Sequence, residues 1–216
     1  AASDSGSSNT DDKTSDNTPA FSASGTSGMT VELFQDGTVS LGTATSSFTW
    51  TITASTISDG SYSISAKQTD PAGNTSSASS ALTVVIDTTA PSAGTVLAAN
   101  LTAAGGTSYS FTIAYSDGGS GIDSSSISTG DITVTKSSTT LTVTGANYSS
   151  GTATYTVTPP GGSWDLSDNG PYTIAIAPSE VQDAAGNAVA SNSSAGSFTV
   201  TTANDAPTLG AIDNVT

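Results

Sequence analysis

Two short loops of this sequence repeat one pattern of oxygen-bearing side chains. The segment QTDPAGNTS contains Asp70 and Asn74, and VQDAAGNAV contains Asp183 and Asn187, so both read Asp-x-x-Gly-Asn. Carboxylate and amide oxygens suit hard cations, and Ca²⁺ takes about six to eight oxygen ligands. A turn alone also explains the pattern, because glycine permits positive φ and aspartate bonds to nearby backbone. We therefore predict a chain reversal in both loops and leave metal binding by Asp70, Asp183 and Asn187 open.

Further carboxylates crowd the N-terminal segment. Asp4, Asp11, Asp12 and Asp16 lie in a stretch with almost no apolar residues, and Lys13 is the one positive charge among them. Without a cation these carboxylates repel one another. The segment is therefore interpreted either as a calcium-binding element or as a solvated, disordered tail.

The composition excludes most other kinds of catalytic or metal-binding site. The 216 residues contain no His and no Cys, and 18 acidic residues stand against three lysines, which gives a formal net charge of −15. An imidazole base, a thiolate nucleophile, a disulfide framework and a Cys/His zinc site are excluded within this chain. No pattern places a proton-donating acid opposite a second carboxylate, as glycoside hydrolysis requires. We therefore expect no enzymatic activity.

The charge also limits the partners. An acidic surface repels phosphates and anionic lipid, so we expect no nucleic acid partner. The sequence has no apolar run long enough to span a bilayer, so we expect no membrane insertion. Hydrophobic residues make up only 34% of the chain, but regular patterning argues against a disordered polypeptide.

Strict two-residue alternation predicts β-strands throughout the chain. Phe48, Trp50 and Ile52 alternate with threonines, and similar sets recur at short spacing between Gly, Asp, Asn and Pro residues. This pattern is typical of antiparallel β-sandwiches. Residues 132–134 and 141–143 are predicted to pair as a hairpin.

An internal repeat divides the chain. Asp59 precedes Tyr62 at the start of one strand, and Asp168 precedes Tyr172 at the start of another; each strand leads into an Asp-x-x-Gly-Asn loop and one closing strand. The closing strands run into TTAPSAG and NDAPTLG, where proline ends strand pairing. We predict one sandwich domain at residues 1–89, a second at residues 90–206, and the start of a third unit or a tail at residues 207–216.

Loops of a sandwich gather at its two poles, so residues distant in sequence can converge. The second unit is expected to bring five side chains together at one pole as a calcium site. Ordinary turn chemistry is the alternative interpretation for these residues. The five are Asp117, Asp123, Asp131, Asp183 and Asn187.

Four segments carry a resemblance to a known family: SDSGSSNTDDKTSDNTPAFSASG, SDGSYSISAKQTDPAGNTSSASSALTVVIDTTAP, YSDGGSGIDSSSISTGDITVT and DNGPYTIAI. Tyr62 and Tyr172 look like the tyrosine corner of immunoglobulin-like sandwiches, in which the hydroxyl bonds to nearby backbone. Both units resemble the tandem immunoglobulin-like and cadherin-like repeats of giant bacterial surface proteins, including RTX-type adhesins. The resemblance implies an extracellular, calcium-stabilised spacer within a long array.

The two linkers also resemble that family. Asp87 precedes TTAP, and Asp205 precedes AP. The two aspartates resemble the junction residues with which cadherin-like repeats hold calcium. They could combine with Asp70 or Asp183 of a neighbouring loop. The alternative is a plain strand end followed by a linker.

The two tryptophans differ in context. Trp50 alternates in phase with Phe48 and Ile52, which indicates a core position. Trp164 lies in PPGGSWDLSDNG, an irregular loop. It is either a plug over the sandwich end or a ligand-binding residue that stacks on a sugar.

The sequence thus predicts an all-β chain of two tandem immunoglobulin-like antiparallel β-sandwich domains. The expected function is that of a non-catalytic, extracellular repeat segment, a Ca²⁺-stabilised spacer of a large bacterial adhesin or surface protein. Its expected partners are neighbouring repeats of the same polypeptide. The alternatives are a carbohydrate-binding module, with polysaccharide or a cell surface as partner, and a homophilic cell-adhesion or self-assembly module.

Overall fold

The computed structural model describes residues 3–203, and these form an all-β fold. Strands and isolated bridges account for 49% of these residues, and the helical residues within the same range are three short 3₁₀ turns, so the all-β prediction is confirmed. None of these turns is long or apolar enough to cross a membrane. The predicted third unit at residues 207–216, and Asp205 before it, lie outside the described residues.

Seven strands build the first unit. One sheet has the order β1-β7-β6-β3-β4, and β2 pairs with β5 in the other. The pairing is antiparallel except between β1 and β7, which are parallel. The strands are β1 (Lys13–Thr14), β2 (Ala20–Ser24), β3 (Thr30–Gln35), β4 (Val39–Thr45), β5 (Thr49–Thr53), β6 (Gly60–Thr69) and β7 (Leu82–Ile86).

Eight strands build the second unit. Two antiparallel sheets have the orders β11-β10-β14-β15 and β12-β13-β9-β8. The strands are β8 (Ser92–Leu97), β9 (Tyr109–Ser116), β10 (Ile132–Lys136), β11 (Thr139–Thr140), β12 (Thr142–Ser149), β13 (Thr152–Thr158), β14 (Gly170–Ile176) and β15 (Asn192–Val200).

The predicted hairpin between residues 132–134 and 141–143 is wrong in its extent. β10 pairs with the two-residue strand β11, and the last backbone bond of that pair joins Leu141 N to Val134 O. From Thr142 the chain crosses to the other sheet and pairs with β13. Leu141 and Val134 are both buried and belong to the second core.

Each unit has its own apolar core. The alternating inward residues of both sheets meet between them, as the period-two pattern predicts. In the first core Val31 and Leu33 from one sheet meet Trp50 and Ile52 from the other. The second core is larger and aromatic, and Tyr172 stacks on Phe198 at 4.9 Å between ring centroids. The positions of the two cores agree with two units, while the exact boundary at residues 89 and 90 stays a prediction.

The tyrosine corners are confirmed in both units. Tyr62 Oη donates to the carbonyl oxygen of Asp59 at 3.3 Å, and Tyr172 Oη donates to that of Asp168 at 3.0 Å. The Asp59 carboxylate accepts bonds from Thr88 N–H and from its hydroxyl. Asp59 thereby joins the corner to the linker, and these bonds hold the pKa of its carboxyl below the ordinary value.

Candidate metal centre between the two units

Asp87 is the first part of the site and comes from the first unit. It follows β7 directly, and its backbone N–H donates to the carbonyl oxygen of Thr14 at 2.9 Å, which continues the pairing of β1 with β7. Its side chain points into the second unit, where Oδ2 accepts a bond from Ser120 N–H at 2.6 Å. Only 1% of its surface is exposed. The residue is therefore a buried link between the two units.

Asp117 comes from the loop after β9. Its Oδ2 accepts bonds from Gly119 N–H at 2.9 Å and Gly121 N–H at 2.7 Å, which fold the loop back on itself. Gly121 has φ of +84°, a conformation that favours glycine. The other oxygen, Asp117 Oδ1, is buried and has no hydrogen-bond partner.

Asp183 and Asn187 come from the Asp-x-x-Gly-Asn loop between β14 and β15. Asp183 Oδ1 accepts from Asn187 N–H at 2.8 Å, and Asp183 Oδ2 accepts from Asn187 Nδ2 at 2.8 Å. Asn187 Nδ2 also donates to the carbonyl oxygen of Asp87 at 2.7 Å. The predicted turn is present, and its asparagine reaches the other unit as well.

The three carboxylates converge. One oxygen each from Asp87, Asp117 and Asp183 lies within 4.8 Å of the others, and this is the one group of three possible ligands found within residues 3–203. Asp183 has no exposed surface. Burial raises the pKa of its carboxyl, against the lowering effect of the Asn187 bonds, and the charges of Asp87 and Asp117 raise it further. Like charges this close in a buried place are destabilising without a counter-ion.

One of the three lysines, Lys13, lies beside the site, because Ser120 contacts both Lys13 and Asp87. Lys13 Nζ donates to the carbonyl oxygen of Ser120 at 2.9 Å. Lys67 Nζ lies over the ring of Phe34, and Lys136 Nζ donates to the carbonyl oxygen of Ser167. Three carboxylates therefore share one neighbouring lysine.

The donor set fits a hard cation. Three carboxylates without nitrogen or sulfur ligands favour Ca²⁺ or Mg²⁺ over zinc. The buried, unpartnered Oδ1 of Asp117 is an available ligand atom, and such an atom is costly to leave without a partner. Ca²⁺ tolerates irregular geometry, whereas Mg²⁺ demands a near-ideal octahedron.

The N-terminal segment is packed rather than free. Ser5 Oγ donates to the carbonyl oxygen of Ala185 at 2.5 Å, and Ser7 Oγ donates to Asp123 Oδ2 at 2.5 Å. Gly6, with φ of +86°, lies so close to Ala184 that a Cβ would overlap its carbonyl oxygen. The interpretation as a solvated tail is therefore corrected, because the segment packs on the same loop that carries Asp183.

The carboxylates of that segment do not form a second cluster of three. Asp4 Oδ2 accepts from Asp12 N–H at 3.3 Å, while Asp4 Oδ1 is buried without a partner. Asp16 Oδ1 caps its own turn by accepting from Thr18. Asp11 is exposed. Metal binding by these four residues stays a prediction.

Asp87, Asp117 and Asp183 are called the junction group below. Asp123 and Asp131 do not belong to it. Asp123 caps a 3₁₀ turn by accepting from Ser125 N–H at 2.9 Å. Asp131 is fully buried, and its carboxylate accepts from Ser128 and from Tyr155 Oη at 2.7 Å. Both carboxylates hold local structure, as the turn interpretation expects.

Asp70 lies at the opposite pole of the first unit from Asp87, because it follows β6 and Asp87 follows the antiparallel β7. Its carboxylate accepts from Ala72 N–H, Asn74 N–H and Asn74 Nδ2, each at 2.9 Å. The Asn74 side-chain bond is the main cause of a lowered pKa at the Asp70 carboxyl. Asp70 therefore forms the predicted turn and is not part of the junction group.

Trp164 is a core residue, and its assignment as a sugar-stacking residue is corrected. It has no exposed surface and packs edge-on against Tyr172 at 5.7 Å and Phe198 at 6.4 Å between ring centroids. Its Nε1 donates to the carbonyl oxygen of Ser108. A fully buried ring offers no face to a sugar. Trp50 is also buried, as predicted.

Sequence reasoning missed two features of the junction. Ser120 N–H donates to Asp87 Oδ2 and brings the loop of Asp117 against Asp87, and a Cβ on Gly119 would lie 2.5 Å from Asp87 Oδ2. The adjacent glycines of SDGGSG were the available signal, because they permit close backbone approach. The contact of Ser5 and Ser7 with the second unit has no sequence signal, since serines are common throughout the chain.

Residues 1–88 match the family model described as "Bacterial Ig-like domain". A comparison with curated protein sequences gave no match. The first unit is thus similar to a bacterial Ig-like domain, and this match and the facing antiparallel sheets confirm the predicted Ig-like β-sandwich class.

Solved structures show distant similarity. The N-terminal part of the bacterial S-layer protein SbsC is 22% identical over 52% of this chain and 24% of that one, with a TM-score of 0.35. The fibronectin(III)-like modules of Clostridium thermocellum CbhA are 16% identical over 88% of both chains, with a TM-score of 0.36. The BSP domain of a biofilm associated protein is 17% identical over 90% of this chain and 29% of that one, with a TM-score of 0.27. This chain spans about a quarter of the S-layer fragment.

Proposed function

We propose that this chain is a non-catalytic repeat segment of a large bacterial surface protein or adhesin, and that Ca²⁺ stiffens it as an extracellular spacer. The observation that carries the proposal is the convergence of Asp87 from one unit with Asp117 and Asp183 from the other, within 4.8 Å. Its partners are neighbouring repeats of the same polypeptide. The similarity of residues 1–88 to a bacterial Ig-like domain supports the surface location.

The proposed role of the ion follows from where the ligands come from. A cation held by Asp87 on one side and by Asp117 and Asp183 on the other resists bending at the linker, because bending would separate its ligands. It also offsets the repulsion among three buried carboxylates. In extracellular modules Ca²⁺ sites have Kd values of about 10⁻⁴–10⁻³ M. A free-ion concentration one hundred times the Kd adds about 2.7 kcal/mol to the free energy of unfolding.

Thermal unfolding in excess EGTA, in millimolar Ca²⁺ and in millimolar Mg²⁺ tests the proposal. We expect a Ca²⁺-specific rise in Tm of several degrees. We also expect a narrower distribution of the radius of gyration in solution scattering, because the linker bends less. Asp117→Asn should weaken both responses, whereas Asp70→Asn should leave them unchanged, because Asp70 lies at the other pole. Equal Tm values in EGTA and Ca²⁺ would rule out a calcium-stabilised junction.

A further inference from the structure

The linker between the two units is exposed in its middle and buried at both ends. Asp87 is buried at its start, and Pro91 is buried at its end. Between them Thr88, Thr89 and Ala90 are exposed. Exposed residues gain little from burial, and ordering them costs conformational entropy. The course of the linker therefore depends on the hydrogen bonds that these residues make.

One carboxylate of the first unit accepts these bonds. Asp59 Oδ1 accepts from Thr88 N–H at 3.1 Å and from the Thr88 hydroxyl at 2.9 Å. Asp59 Oδ2 accepts from the Thr89 hydroxyl at 2.9 Å. The Asp59 side chain therefore holds two successive linker residues, one with each of its oxygens.

The second of these linker residues also contacts the candidate ligand Asp87. Thr89 N–H donates to Asp87 Oδ1 at 3.2 Å. The other oxygen, Asp87 Oδ2, accepts from Ser120 N–H of the second unit at 2.6 Å. The Thr89 backbone thus fixes one oxygen of the Asp87 carboxylate, and the second unit fixes the other. Because Asp59 holds Thr89 by its hydroxyl, Asp59 acts on the orientation of Asp87 through one intervening residue.

The second unit holds the segment after β15 in the same way. Asn169 Oδ1 accepts from Thr202 N–H at 2.7 Å and from the Thr202 hydroxyl at 2.9 Å. Asn169 precedes the corner Tyr172 by the same spacing at which Asp59 precedes Tyr62. The contact therefore recurs at the equivalent place of both units, which indicates that holding this threonine is part of the fold.

The two units differ in what the second side-chain atom does. Asn169 Nδ2 donates to the carbonyl oxygen of Thr202 at 3.0 Å, and the next residue, Ala203, has no hydroxyl. At the junction Thr89 takes the place of Ala203, and its hydroxyl donates to the second carboxylate oxygen. A carboxylate accepts with both oxygens, whereas an amide accepts with one. An aspartate therefore suits the linker that carries Asp87, where a second threonine is held.

We propose that Asp59 is a positioning residue of the junction, which holds Thr88 and Thr89 so that Asp87 presents its carboxylate to the second unit. The effect on calcium affinity rests on the proposed function, whereas the effect on the course of the linker does not. Without the Asp59 carboxylate the exposed linker residues lose these bonds and rotate more freely, so the ion meets a ligand that is less preorganised. Partners that orient a metal ligand typically change metal affinity by about 10–100-fold.

Calorimetric titration of the full chain with Ca²⁺ tests the effect on the ligand. We expect Asp59→Ala to weaken Ca²⁺ binding by about tenfold. Thr89→Val removes the hydroxyl, leaves the charge of the chain unchanged, and should also weaken binding. Thr89→Ser keeps the hydroxyl and should retain the parent affinity. Asp70→Ala is the matched control, because it removes a hydrogen-bonded carboxylate of the same charge at the opposite pole of the first unit. Asp59 and Thr89 are both exposed, so neither change disturbs a core.

Distances between the units test the course of the linker without calcium. The chain contains no cysteine, so two spin labels can be attached through Val39→Cys and Leu97→Cys. These side chains are 52% and 69% exposed and lie in different units. In excess EGTA, Asp59→Ala and Thr89→Val should each broaden the distance distribution measured by double electron–electron resonance. Asp70→Ala should leave the distribution unchanged.

Unchanged affinity together with unchanged distances in Asp59→Ala and Thr89→Val would overturn the proposal. A loss of affinity in Asp59→Ala but not in Thr89→Val would also overturn it, since the charge of Asp59 alone would then act on the ion. An equal loss of affinity in Asp70→Ala would do the same. A parent chain that binds no Ca²⁺, with a broader distance distribution in both variants, would overturn the calcium-stabilised spacer and would support the role of Asp59 in the linker.

Discussion

Asn187 Nδ2 donates to the carbonyl oxygen of Asp87 at 2.7 Å and to Asp183 Oδ2 at 2.8 Å, so one amide group joins the two units. Asn74 stands at the same place in the first copy of the loop, and it contacts Asp70 in an exposed turn. The repeated Asp-x-x-Gly-Asn pattern therefore forms the same turn twice. In the second unit it also holds the linker.

Asn187→Ala should destabilise the junction. It removes two buried or half-buried side-chain bonds and leaves Asp183 Oδ2 and the Asp87 carbonyl oxygen without this donor. We expect a loss of about 1–3 kcal/mol in the free energy of unfolding, measured by urea titration. Asn74→Ala removes the corresponding exposed bond and should cost less. Equal losses in the two variants would mean that the contact between the units contributes nothing.

Asp117→Asn should change stability in opposite directions with and without calcium. In EGTA it removes one of three converging negative charges, and we expect a gain on the order of 1 kcal/mol in the free energy of unfolding. In millimolar Ca²⁺ it removes a ligand, and the variant should be less stable than the parent. Asp70→Asn serves as control, and its difference in stability from the parent should be the same with and without calcium. A loss under both conditions would indicate that the Asp117 carboxylate acts only through its bonds to Gly119 and Gly121.

The two cores and the tyrosine corners could be predicted from the sequence. Trp50 and Ile52 alternate with threonines because one face of β5 is buried and the other is exposed. Tyr172 follows Asp168 at a spacing that lets its hydroxyl reach the backbone of Asp168. These features depend on neighbours in sequence, and local patterns report local structure.

The junction could be predicted only in part. Asp87, Asp117 and Asp183 were each candidates, but their grouping depends on the way two units meet, which no local pattern records. Asp131 is a candidate metal ligand because it is an aspartate. Its carboxylate is buried in the core, where it accepts hydrogen bonds from Ser128 and Tyr155. Trp164 sits in an irregular loop, and the loop folds inwards because the aromatic core surrounds the indole ring.

Gly119→Ala tests how closely the two units approach. A Cβ at this position would lie 2.5 Å from Asp87 Oδ2, so the loop or the linker must move, and we expect a cost of about 1–3 kcal/mol. A Cβ on Gly118 meets no atom within 4 Å, so Gly118→Ala is a matched control. Calcium titration followed by Tm should give a weaker apparent affinity for Gly119→Ala alone. An unchanged affinity in Gly119→Ala would show that the ion does not require this approach.

The second unit should unfold before the first in alkali. Burial raises the pKa of Tyr109 to about 12, and burial with the nearby Asp168 charge raises that of Tyr172 to about 12. Burial also raises the pKa of Tyr155. An unfolded tyrosine has a pKa of about 10, so the unfolded chain loses these protons first. The stabilisation is therefore fully present below pH ~10 and is lost as pH rises towards ~12.

The tryptophans report the two units separately, because Trp50 belongs to the first core and Trp164 to the second. Fluorescence of a Trp50→Phe variant should show alkaline unfolding at a lower pH than that of a Trp164→Phe variant. Replacing Tyr109 by Phe should make the pH dependence shallower, since one proton fewer is released on unfolding. Loss of both signals at one pH, in Ca²⁺ and in EGTA alike, would mean that the two units unfold together and that their contact does not depend on the ion.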